Sequence, residues 1–177
     1  MRMTGLLKGL ILFIKKKSIK IIFQMITKDQ VLEVQKRWGN GVVKIGELKE
    51  SRIECKAFTN NFLEQLYAFD VGEVLFKPTK CENEQFRSKK SQAMSYFIAG
   101  HDRTCDEDKG FAIQPWIKVR FENFGFVLEE KRAISMGNYF FSDANGIEVK
   151  VEYTFGYRLV EGNLKIDVHH SSFPFKN

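Results

Sequence analysis

The hydrophobic period of this chain changes partway along, and that change limits the folds open to it. Before Gly100 apolar residues recur every third or fourth position; from Ile117 onward they recur every second. Residues 117–124, 132–142, 147–157 and 164–172 therefore read as strands. Asn145-Gly146, between two of them, is the strongest short hairpin signal. Upstream, Thr27 and Gln30 form a capping-box pattern, with Val31, Val34 and Trp38 on one helical face. Gly39-Asn40-Gly41 is expected to punctuate that helix. A second box, Ser51 and Glu54, precedes Phe58, Phe62, Leu66 and Phe69, and Gly72 closes the segment. Residues 74–76 read as a short strand stopped by Pro78. Residues 88–99 read as a third helix burying Ala93, Met94, Phe97 and Ile98 and ending at Gly100. Helices first and antiparallel strands after define an α+β chain with its helices on one sheet face. A strongly curved sheet closed by helices makes a cone, a natural place for a pocket.

At 177 residues the chain is long enough for one domain with a substantial core and short for two. We place that domain at 27–177, after a basic, apolar extension of residues 1–26. Six of the 28 basic residues fall in residues 1–24, where there is no acid; the other 22 are balanced by 22 acids. A neutral body argues against nucleic-acid binding, whose basic footprint should lie on the fold. The extension is interrupted by Lys8 and is too short in apolar residues to span a bilayer. It shows no small-residue cleavage site for a secretory signal. Two readings remain: a basic helix giving weak contact with a membrane surface, and, favoured, an extension upstream of a start at Met25. Three cysteines, Cys55, Cys81 and Cys105, are an odd number set far apart. They point to free thiols and a reducing, cytoplasmic setting.

Catalytic zinc needs about three convergent ligands. The only histidines are His101, His169 and His170, and the last two, adjacent on a strand, point to opposite faces. No Cys-x-x-Cys spacing joins Cys81, Cys105 and His101 into a site. A serine triad lacks its nucleophile elbow, and no glycine loop is arranged to cradle phosphate. The acidic stretch from Cys105 to Gly110 lacks the ligand spacing of a calcium loop and reads as a solvated turn. What remains are neutral hydrogen-bonding residues: Thr79, Tyr96, and the run His169, His170, Ser171, Ser172. Each alone fits an ordinary role, as a turn residue, a rim residue or a strand-end donor.

Seven segments nevertheless occur in a telling order: FKPTK (76–80), QFR (85–87), MSYF (94–97), DKGFAIQPW (108–116), MGNYFF (136–141), VEYTFGY (151–157) and HHSSFPF (169–175). Together they resemble the iota-class carbonic anhydrases, within the nuclear transport factor 2-like and kinase-association-like superfamily. The resemblance covers about residues 27–175. It implies a cone-shaped α+β fold, a homodimer, and reversible hydration of carbon dioxide to bicarbonate. It also implies a site that works without a metal or other cofactor, although metal use has been argued for some members. The family's site residues match Thr79, Tyr96, and either His169 with Ser171 or His170 with Ser172.

Strand alternation carries Leu164, Ile166 and Val168 on to His170 and Ser172. If the apolar face is inward, that pair lines the pocket; a bulge near the doublet would reverse the choice. Carbon dioxide is already electrophilic, so catalysis needs a positioned water, a proton acceptor and donors where negative charge develops. Hydroxyls of Thr79, Tyr96 and one serine suit the first and third needs, holding the water and the nascent bicarbonate. A histidine near its reference pKa of about 6.5 suits proton transfer. Phe76, Phe97 and Phe111 are candidates for a dry wall. Two other roles of such a cone stay open: binding a small apolar ligand, and oligomerisation.

Overall fold

The computed structural model describes residues 25–114 and 116–176. The extension postulated at 1–26 lies almost wholly outside the described residues. Three helices, α1 (Lys28–Glu47), α2 (Arg52–Leu66) and α3 (Lys90–Ile98), cover one face of a five-stranded sheet. Its strands are β1 (Leu75–Lys77), β2 (Trp116–Leu128), β3 (Arg132–Asp143), β4 (Glu148–Val160) and β5 (Asn163–Ser172), in the order β1-β5-β4-β3-β2. The sheet is mixed rather than wholly antiparallel as expected, because β1 runs parallel to β5. That pairing matters for function: Phe76 sits opposite His169 and Lys77 opposite His170.

Helix α1 begins as its sequence demands. The Thr27 hydroxyl accepts from the Gln30 amide and the Gln30 side chain accepts from the Thr27 amide. It does not break at Gly39-Asn40-Gly41 but continues to Glu47. The glycines are there for space. A Cβ on Gly39 would lie 3.2 Å from that of Val119 on β2, and one on Gly41 would lie 2.4 Å from the Phe62 ring on α2. Both positions let α1 approach its neighbours closely. Ser51 precedes α2 without capping it through its side chain, and α2 stops at Leu66, leaving Phe69 beyond it. Trp38, fully enclosed, packs against the rings of Phe62, Phe97, Phe121, Tyr139, Phe141 and Phe155. It ties all three helices to the sheet, where the core lies.

The departure with most consequence is in β5. Gly156 of β4 pairs with Val168 and Tyr157 pairs with Ile166, so Asp167 has no partner opposite it. This is a β-bulge, with two residues of one strand facing one of the other. Asp167 and Val168 crowd the same side of Gly156, where a Cβ would meet Val168 Cβ at 2.9 Å and Asp167 Oδ1 at 3.2 Å. The Asp167 carboxylate accepts from Arg132 Nη1 at 2.7 Å and Nη2 at 3.1 Å, and from Arg158 Nε at 2.9 Å. Beyond the bulge the alternation is inverted: His169 and Ser171 are buried, His170 is exposed and Ser172 half-buried.

Gly156→Val should therefore force the bulge to move. The expected outcome is a loss of about 1–3 kcal/mol, the usual range for overpacking, read as a lower denaturant midpoint. Activity should fall with it, since the strand carrying His169 and Ser171 would shift register.

Candidate active site

Between the helices and the sheet, aromatic rings close around a small, nearly filled hollow. Phe76, Phe97, Phe111 and Trp38 form its apolar walls, and Thr79, Tyr96, Tyr139, His169 and Ser171 supply its polar atoms. No carboxylate, lysine or arginine lines it. The walls stand so close that a water-sized sphere does not fit without side-chain movement.

The polar groups arrive from four directions. Thr79 follows β1 through Pro78, and its Oγ1 donates to Ser171 Oγ at 2.8 Å. Lys77 Nζ donates to the Ser171 carbonyl at 3.2 Å, tying β1 to the end of β5. Tyr96 projects from α3 and stacks on Phe111 with ring centroids 5.5 Å apart. Its hydroxyl accepts from the Lys80 amide at 3.5 Å and also meets Thr79. Tyr139 of β3 points its hydroxyl at Ser171 and Thr79. His169, 2% exposed, is stacked on Phe76 at 4.5 Å. Its Nδ1 lies 2.8 Å from the Tyr67 hydroxyl and its Nε2 lies 3.4 Å from that of Tyr139.

Burial sets the protonation of every member. It pushes the phenols of Tyr67 and Tyr96 well up, and that of Tyr139 up. It also holds the His169 imidazole well below its ordinary range, with a smaller push from the charge of His170. That direction runs against the expectation of a histidine near 6.5 moving protons in the pocket, because burial favours the neutral ring of His169. The pair His170 and Ser172, which simple alternation would place inside, is outside; the Ser172 hydroxyl donates to Glu152 on the outer sheet face at 3.1 Å.

The loop carrying Thr79 is held from behind. Arg87, 0% exposed, donates to Asp108 Oδ1 at 3.0 Å and to the Glu84 carbonyl, while Ser95 donates to the other Asp108 oxygen. Glu107 accepts from the successive amides of Glu82, Asn83 and Glu84 at 2.9, 3.2 and 2.9 Å. Those three amides lower its pKa to about 2. The acidic stretch read as a solvated turn is therefore an anchor. The three cysteines are free. Among the described residues, no group of three or more His, Cys, Asp or Glu is placed to hold a metal ion. Sequence reasoning missed Tyr67, Tyr139 and the polar role of Trp38. Tyr139 lay within the MGNYFF segment, but nothing in its spacing marked it as a pocket residue.

Helices packed on one face of a five-stranded mixed sheet make the nuclear transport factor 2-like fold. An NTF-2 like protein of unknown function from Shewanella oneidensis MR-1 shares the fold, with a TM-score of 0.50 and 11% identity over 83% of this chain and 99% of that one. The sequence model of the metal-independent carbonic anhydrase family matches residues 29–173, and the chain belongs to that family. It is 34% identical over 160 residues to a metal-independent carbonic anhydrase of Nostoc sp. strain PCC 7120, covering 88% of this chain and 78% of that protein. The crystal structure of the iota-carbonic anhydrase from a cyanobacterium, complexed with bicarbonate, superposes with a TM-score of 0.81. The two are 33% identical, over 86% of this chain and 94% of that one.

The depressed His169 has a signature in stability. Unfolded, the ring takes a proton near about pH 6.5; folded, it resists until well below that. Its contribution is complete above about pH 6.5 and is lost as the pH falls below it. The denaturant midpoint should fall between about pH 7 and 5, and His169→Gln should flatten that slope.

Proposed function

We propose that this protein hydrates carbon dioxide reversibly to bicarbonate without a metal, in the pocket that holds Thr79, Tyr96, His169 and Ser171. The observation that carries the reading is the Thr79–Ser171 hydroxyl pair, 2.8 Å apart, set among the aromatic walls of Phe76, Phe97 and Phe111 with no charged side chain beside it. Family membership and the bicarbonate bound to the similar cyanobacterial enzyme support it.

The chemistry follows from the surroundings. The ring faces favour an apolar linear gas over bulk water. A water held by the hydroxyls attacks the carbon, one C=O bond becomes C–O⁻, and a proton leaves. Preorganised neutral donors stabilise that oxygen more strongly in a dry site than in water. Thr79 is half-buried and joins the pocket hydroxyls to the loop surface, which gives the proton a way out. His169, held neutral, serves as a hydrogen-bonding group and not as the ionised proton carrier.

The reading extends to a homodimer formed through the outer sheet face, where Phe124, Val127, Ile134 and Met136 are exposed. It includes a cytoplasmic location and weak contact of residues 1–24 with anionic membranes, on the charge of that segment. Sedimentation of the full chain, with and without anionic vesicles, is expected to show a dimer and partial vesicle binding.

Stopped-flow hydration after chelation, with metal content measured, tests the activity. Turnover should persist unchanged; loss on chelation with recovery on adding one metal would refute the metal-free reading. In the same assay Ser171→Ala and Tyr96→Phe should each lower turnover by about a hundred- to a thousand-fold, the usual cost of losing a donor to developing charge. Ser172→Ala should be nearly silent.

A further inference from the structure

The pocket's polar groups continue inward as a chain. Trp38 Nε1 donates to the Tyr67 hydroxyl at 2.9 Å. That hydroxyl lies 2.8 Å from His169 Nδ1, and His169 Nε2 lies 3.4 Å from the Tyr139 hydroxyl at the cavity wall. All four side chains are buried, so an unmet donor in this chain would carry an appreciable cost.

The direction of the chain is set at its far end. An indole N–H can only donate. Tyr67 therefore accepts from Trp38, and among the described residues its hydroxyl has one other partner, His169 Nδ1. Were Nδ1 protonated, it too would donate to Tyr67, and the Tyr67 hydrogen would be left buried without an acceptor. With Nδ1 unprotonated, every donor in the chain is used. The ring proton then sits on Nε2 and points at Tyr139. The Tyr139 oxygen accepts it, which frees the Tyr139 hydrogen for Ser171, Thr79 or a ligand oxygen.

We infer that Trp38 and Tyr67 are positioning residues that fix His169 as its Nε2–H tautomer, making Tyr139 a further hydrogen-bond donor to the product carboxylate. The inference rests on the carbon dioxide-hydrating reading of this pocket. Neither residue touches the cavity's ligand space through its polar atom; each acts by polarising the next link, and bonds aligned head to tail strengthen one another. Which nitrogen of a neutral imidazole carries the proton is set by the hydrogen bond that the other nitrogen makes. Here that bond runs to Tyr67, whose direction is fixed by the indole two hydrogen bonds from His169. The same arrangement explains why His169 is unsuited to act as a base: its free lone pair faces Tyr67, away from the reacting water.

The tautomer is directly observable. Long-range proton–nitrogen spectra of the full-length protein, labelled at histidine and assigned by His101→Gln and His170→Gln, should show His169 with an imine-type Nδ1 and a protonated Nε2 at neutral pH without substrate. An Nδ1–H ring or an imidazolium would overturn the proposal, and this measurement needs no core variant to fold. Tyr67→Phe should mix the tautomers and lower kcat by about 10- to 100-fold, as loss of an outer hydrogen-bond partner commonly does, with KM changed less. Tyr139→Phe should lower kcat while leaving the single tautomer intact. A Tyr67→Phe protein that keeps the single tautomer overturns the relay even if its activity falls. Because the spectra do not depend on turnover, the expected tautomer in a protein that hydrates no carbon dioxide would sink the functional reading and leave the relay standing.

Discussion

The site depends on one irregularity, the bulge at Asp167. Leu164 and Ile166 face the core, and an uninterrupted strand would send His170 and Ser172 inward after them. One additional residue in β5 inverts that, and His169 and Ser171 enter the core opposite Phe155 and Tyr153. Three features hold it. Gly156 leaves room for two side chains to crowd one position, and Arg132 and Arg158 converge on the Asp167 carboxylate. The carboxylate is nearly buried whereas both arginines are partly solvated. The attraction between them is screened, but a buried carboxylate stripped of its partners is strongly unfavourable. Bulge and arginines therefore form one unit. Its energetic weight lies less in the ion pairs than in excluding a register that would bury the Asp167 carboxylate away from Arg132 and Arg158.

A comparison within the same core shows why one polar network is a site and another is not. One turn before Trp38 on α1, Gln35 Nε2 lies 2.8 Å from Asn123 Oδ1 and 3.0 Å from the hydroxyls of Ser135 and Tyr153. Asn123 returns a bond to Gln35 at 2.9 Å. Its donors and acceptors answer one another, so the network fixes the seat of α1 on the sheet. The His169 network also begins on α1, at Trp38, but ends on the hydroxyls that line the aromatic hollow. Closed networks specify packing; a network left incomplete at a cavity is available to a ligand.

Much of this was legible in the sequence. The order of helices and strands, the capping box at Thr27 and the hairpin at Asn145-Gly146 follow from local rules, and the structure keeps them. The identities of Thr79 and Tyr96 as pocket residues came through the ordered motifs. What local rules could not supply were the long-range contacts. Gly39 and Gly41 look like helix breakers until Val119 and Phe62 are seen against them. Asp108 looks like surface acid until Arg87, 21 residues earlier, is found buried beside it. The choice between His169 and His170 turned on Asp167, whose partners lie on two other strands. Tyr67 and Tyr139 reach His169 across separations of 102 and 30 residues, and no period within one element encodes that.

These points bear on how a pocket of neutral groups can act on carbon dioxide. A metal site concentrates charge on the reacting atoms and tolerates some looseness around them. Here each donor is a hydroxyl or an imidazole N–H, whose net worth is ordinarily about 1 kcal/mol and rises only where geometry is fixed and water excluded. Rigidity must then come from elsewhere, and the chain's charged groups supply it from outside the cavity. Arg87 with Asp108, and Glu107 on three amides, clamp the loop that presents Thr79. Arg132 and Arg158 hold the bulge that presents Ser171. Lys77 joins the two at the Ser171 carbonyl. Charge is used to place the hydroxyls rather than to meet the substrate, which is consistent with a cavity whose lining contains no ionised group.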